Sequence, residues 1–202
     1  MRKLFAFFVV AVLASFLAAR DASAFMIFSL DFEGLSDYTP VTNQYAPQYV
    51  TFSDAIAITA GFSLNEFDFP PRSGQNVLFN ETQSMWLDFG LTTYDWSAYL
   101  TYASPVTVNA YDGDGNLVGT TGSLFSENFV SSGNSPNELL ALSIASGFSS
   151  LQITGGDPSG SSFVVDDMSY KTADAIPEPA TLILFGAGVL GLAIRRHKRT
   201  IS

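Results

Sequence analysis

Between Phe25 and Tyr170 the apolar residues come in short runs or alternate with polar ones, and Gly, Pro, Asn, Asp and Ser recur between the runs. A period near two, broken often by turn residues, predicts strands, because successive strand side chains point to opposite faces. The pattern places strands near Ile27–Phe32, Tyr49–Phe52, Ile56–Phe62, Asn76–Phe79, Met85–Phe89, Trp96–Tyr102, Val106–Asp112, Leu117–Thr121, Leu139–Ile144, Ser150–Thr154 and Phe163–Tyr170. Strands of this length, each burying one face, close into a sandwich or jelly roll. The expectation is an all-β fold, a jelly-roll-like antiparallel β-sandwich over residues 25–170.

Several connections can be typed. Asp112-Gly-Asp-Gly-Asn116 separates two strands with residues that tolerate positive φ, which predicts a tight hairpin. It is not an EF-hand, since Leu117 stands at that loop's glycine position and Ser123 at its bidentate acidic position. Pro70-Pro71 marks a loop or an edge, and the polar segment SENFVSSGNSPNE reads as a long surface excursion.

The two ends differ from the body. Arg2 and Lys3, an apolar run from Leu4 to Ala19, and Ala22-Ser-Ala24 form a secretory signal peptide over residues 1–24, which puts the mature start near Phe25. At the other end, residues 171–176 read as a linker, followed by Pro177-Glu178-Pro179 and a charge-free stretch from Ala180 to Ile194. As a helix that stretch spans about 22 Å, short of a hydrocarbon core of about 30 Å, so it is a marginal transmembrane helix. Arg195, Arg196, Lys198 and Arg199 then act as a basic stop that holds the tail in the cytoplasm.

Charge and composition exclude several functions. From Phe25 to Ile176 there are 17 acidic residues against Arg72 and Lys171 alone, a net charge of −15. Such a field repels phosphate backbones and anionic lipid, so nucleic acid is excluded as a partner and membrane contact is confined to the C-terminal helix. Cysteine is absent, and the one histidine, His197, lies in the basic tail. Thiol chemistry, a cysteine zinc site and a Ser-His-Asp triad within the domain are therefore ruled out. With no nucleophile motif and no phosphate loop, no enzyme is expected. Two carboxylates suffice for a glycosidase, so a polysaccharide-active hydrolase or lyase is the alternative. Tyr94, Trp96, Tyr99 and Tyr102 are candidates for a sugar-stacking platform, but a Phe-rich sandwich needs aromatics to fill its core, and that use is favoured.

The ordered series of Pro-Glu-Pro, short apolar helix and Arg-rich terminus resembles the PEP-CTERM sorting signal of Gram-negative bacteria, over residues 177–199. The resemblance implies recognition by exosortase, transient anchoring in the inner membrane, and delivery to the cell surface or an extracellular matrix rich in exopolysaccharide, as in a biofilm. The body, in DFEGLSDYTPVTNQY, SLNEFDFPPRSGQNVLF and SFVVDDMSY, is similar to β-sandwich domains that accompany such tails, and its first and last pieces resemble galactose-binding-like jelly rolls of carbohydrate-binding modules. That resemblance implies a structural calcium held by Glu33 and Asp166, with Asp31 and Asp167 as neighbours. The function it implies is a non-catalytic binding or structural domain associated with exopolysaccharide.

Overall fold

A computed structural model describes residues 25–160 and 162–173. The expected signal peptide, residues 174–176 of the expected linker, Pro177-Glu178-Pro179, the expected 180–194 helix and the basic stop lie outside the described residues, whereas residues 171–173 of that linker continue the last strand. Ten strands are present: β1 (Phe25–Leu30), β2 (Thr39–Val41), β3 (Val50–Ser53), β4 (Ala55–Thr59), β5 (Asn76–Asn80), β6 (Ser84–Tyr102), β7 (Val106–Tyr111), β8 (Leu117–Gly122), β9 (Glu138–Gly155) and β10 (Phe163–Ala173). All pairings between them are antiparallel. The fold is the all-β sandwich that the alternating pattern predicts.

Hydrogen bonding runs continuously in the order β2-β4-β5-β10-β6-β9-β7-β8, with β1 added to β10 and β3 to β6. Two long strands make this one ladder serve two layers. The second half of β6 pairs with β10 and with Glu138–Ser143 of β9, whereas Ser84–Asp88 pair with Ser150–Thr154. Both strands turn the corner between these stretches, where the register shifts between Asp88 and Thr93 and again before Asp95. Gly147 sits in that corner at φ 78°, and a Cβ there would lie 2.3 Å from the Thr92 methyl, so glycine is required. The separate strands expected at Met85–Phe89 and Trp96–Tyr102 are thus one element, as are those at Leu139–Ile144 and Ser150–Thr154.

The main core lies between the layers and joins Trp96, Leu100, Leu140 and Val165 of one to Phe52, Leu87, Val108 and Leu151 of the other. A second cluster forms on the outer side of the first layer. Ile56, Ile58, Val77 and Val164 point outward there, and Leu64 and Phe69 of the loop between β4 and β5 pack over them. This explains why AIAIT is buried throughout: its alanines face the main core and its isoleucines the second cluster. β10 also runs past Tyr170 to Ala173, which pairs with Phe25, so the first and last described residues leave from one corner.

The loops are tied down by buried asparagines that stand in for strand neighbours. Asn128, fully buried in the 123–137 excursion, accepts from the Tyr102 N–H (2.7 Å) and donates to the Leu100 carbonyl (2.9 Å). Asn80 accepts from the N–H groups of Ser162 and Phe163 and donates to the Thr82 carbonyl.

Candidate functional site

Strands β5 and β1 occupy the same edge of β10 in succession. β5 pairs with Val164 and Val165, β1 begins its pairing at Met168, and the gap falls at Asp166 and Asp167. A register shift between Asp166 and Ser169, with Asp167 at φ 43°, opens the strand at that point. The segment leading into β5 brings its N–H groups into this gap. Asp166 Oδ2 accepts from Arg72 N (2.7 Å) and Ser73 N (3.0 Å), and its Oδ1 accepts from Asp167 N (2.7 Å). The Ser73 hydroxyl donates to Asp167 Oδ1 at 2.8 Å. Glu33, three residues after β1, accepts from Gln75 N on both oxygens (3.0 Å each) and from Asn76 N (2.9 Å).

The four carboxylates proposed from sequence therefore divide. Glu33 and Asp166 converge on residues 72–76, while Asp31 and Asp167 line a shallow recess of about 250 Å3 with Ser29 and Ser169. Asp31 Oδ1 accepts from the Glu33 N–H (3.2 Å). Burial pushes the Asp166 carboxyl up to about 6, against the lowering pull of the Ser73 amide. As arranged, this set does not fit calcium: the oxygens of Glu33 and Asp166 face N–H donors, and among the described residues no three acidic or histidine side chains group to hold a metal.

The aromatics divide as well. Trp96 and Tyr102 are buried in the core, and Tyr99 lies beneath the Arg72 guanidinium, 4.6 Å from its ring centre. Among the described residues the most exposed aromatics are others, which the sequence reading did not single out: Tyr38 (67% exposed), Phe62 (79%) and Phe67 (82%). Leaving a Phe in water forgoes about 1.5–3 kcal/mol of burial, so folding gives these rings no reason to be where they are. Their loops are well braced. Asp37 accepts from Thr59 N and from the Ser63 hydroxyl, both at 2.8 Å, which binds the Tyr38 turn to the Phe62 loop. Leu64 and Phe69 anchor that loop in the second cluster, and Phe69 stacks on Phe129 at 5.9 Å between centres. Asp68 completes the brace, its carbonyl accepting from Val130 N (3.0 Å) and its carboxylate from Ser131. The Ser63 hydroxyl at Asp37 and the Ser131 hydroxyl at Asp68 hold both carboxyls below the usual range, so both stay ionised beside the rings. The surface thus offers exposed apolar faces with fixed acceptors, the chemistry that suits the C–H faces and hydroxyls of a sugar. The sequence pattern does not reveal it: alternation would put Phe67 and Phe69 of NEFDFPP on one face, yet Phe67 is exposed and Phe69 packs inward.

A second feature is a furrow of about 460 Å3 on the open half of the first layer's outer face. Ser97, Ala141 and Ser169 line it, and a Lys171–Asp95 ion pair (3.4 Å) borders it, with Lys171 also 4.2 Å from the Phe25 ring centre.

Among solved structures, the K2 cleaved adhesin domain of Lys-gingipain is similar at 14% identity, covering 72% of this chain and 99% of its own, with a TM-score of 0.47. The K1 domain of the same protein from Porphyromonas gingivalis is 9% identical over 73% of this chain and 98% of its own, with a TM-score of 0.46. TmCBM61, solved with β-1,4-galactotriose, is 13% identical over 71% and 94%, with a TM-score of 0.39. No curated protein matches the chain. A family model does match its end, and residues 175–199 carry the PEP-CTERM protein-sorting motif.

Proposed function

We propose that this is an exported, non-catalytic binding domain that holds a neutral polysaccharide, of the kind found in exopolysaccharide matrices, on the Tyr38, Phe62 and Phe67 loops. The observation that carries the reading is the exposure of these rings on loops braced by Asp37, Asp68 and the second cluster. The sorting motif supports the setting, with exosortase acting on the tail and the domain released to the cell surface or matrix. The net charge of −15 disfavours anionic polymers and leaves neutral chains as the fitting class.

Affinity electrophoresis of residues 25–176 in gels containing neutral glycans or exopolysaccharide from a strain with a PEP-CTERM system tests this. Retardation is expected in at least one polymer, and Phe62→Ala with Phe67→Ala should abolish it. Because both rings are mostly in water, the double variant should unfold within about 0.5 kcal/mol of the parent. New reducing ends in the polymer would instead show a hydrolase, and new unsaturated ends a lyase. A domain that is abundant in matrix yet retarded by no polymer would be structural.

A further inference from the structure

We infer that Glu33 and Asp166 form an amide clamp that does the work of a bound calcium ion, so that this sandwich closes its chain ends without metal. The clamp joins three distant parts of the sequence: the turn after β1, the segment entering β5, and the gap in β10. Four N–H groups, those of Arg72, Ser73, Gln75 and Asn76, point at two carboxylates. Such converging amides make a positive nest that binds anions, and here the anions are the protein's own side chains. A calcium ion needs six to eight oxygens at about 2.3–2.6 Å, and these N–H dipoles would point their positive ends at it.

Two further details close the space an ion would use. The nearby carbonyls of Phe32 and Leu35, natural oxygen ligands, are already taken by Asn76 Nδ2 at 3.1 and 2.8 Å. Gly74, at φ 53°, lies so close to Glu33 that a Cβ would stand 2.1–2.4 Å from the carboxylate atoms. The carboxylate therefore packs directly on the loop backbone. Gly74 is required both for its positive φ and for this approach. The clamp lies on the same two connections as the rings, Glu33 before β2 and residues 72–75 at the end of the loop between β4 and β5, but it uses none of Tyr38, Phe62 and Phe67, so its variants are read by unfolding and theirs by retention.

Thermal unfolding of residues 25–176 in millimolar calcium and then in excess chelator tests it; among the described residues, every member of both hydrophobic clusters lies within that stretch. The parent midpoint should be the same in both buffers. Glu33→Gln and Gly74→Ala should each lower it by several degrees, with no recovery in calcium. A midpoint that falls several degrees in chelator would overturn the inference, as would a Glu33→Gln midpoint equal to the parent's. If Glu33→Gln does not fold, the parent's response to chelator and the Gly74→Ala midpoint still decide.

Discussion

Replacing Asn128 with Ala removes two hydrogen bonds at once from a fully buried site. The Tyr102 N–H loses its acceptor at 2.7 Å and the Leu100 carbonyl its donor at 2.9 Å. Asn128 is 0% exposed, so water does not replace either partner without opening the packing. Each backbone group left unpaired costs about 1–3 kcal/mol, which gives a loss of about 2–6 kcal/mol. A loss of about 3 kcal/mol corresponds to a fall in midpoint of roughly 6–12 °C for a domain of this size. Urea unfolding followed by tryptophan fluorescence reads it, with an unchanged m-value showing that the folded and unfolded states are otherwise alike. The consequence reaches the loops proposed to hold polysaccharide. Asn128 anchors the excursion whose Phe129 stacks on Phe69 and whose Ser131 bonds to Asp68, so polysaccharide retention should weaken although no exposed ring is touched. A destabilisation under 1 kcal/mol with native spectra would refute the argument that this asparagine stands in for a strand neighbour.

The remaining predictions concern pH and sorting. The folded Asp166 carboxyl keeps its proton up to about pH 6, while the unfolded chain releases it near 3.8. The folded state thus binds the extra proton between those values, and the Asp166 contribution to stability falls as pH rises from about 4 to about 6. Denaturant midpoints across that range should show this fall in the parent relative to Asp166→Asn, and parallel profiles would count against it. Asp37, Asp68 and Asp112 act in the opposite sense, since their lowered carboxyls lose their contribution only as acid protonates them. In a host with an exosortase, replacing Pro177-Glu178-Pro179 with alanines should leave the protein in the membrane fraction, and fractionation followed by blotting would detect it. Release of that variant into the medium at the parent's rate would show that the motif does not govern processing.

Much of the architecture was legible because strand alternation and turn chemistry are local. The hairpin at Asp112 appears as expected, with Asp112 Oδ1 accepting from the N–H groups of Asp114 and Asn116. Trp96 and Tyr102 fill the core, as a Phe-rich sandwich requires. The sorting motif over residues 175–199 is linear by nature. Other features were hidden. Gly90 and Gly147 look like ends of strands, yet β6 and β9 continue past them, because a bent strand keeps its ladder when its partner bends with it. Short β2, with its central proline, escaped the pattern. The bracing role of the polar 123–137 segment depends on where one asparagine lands.

What the sequence determined on its own is what one segment can carry: the period of the strands, the turns, the sorting motif at residues 175–199 and the sign of the domain's charge. Tertiary structure alone decided what each carboxylate and each ring meets. Residues 33, 74 and 166 are far apart in the chain, and nothing local reveals whether Glu33 and Asp166 will face carbonyls, a cation or N–H groups. Phe67 and Phe69 are chemically the same and two residues apart, yet one stays in water and the other packs on Phe129. That difference arises from how the loop between β4 and β5 covers the second cluster, a long-range packing event with no local signature.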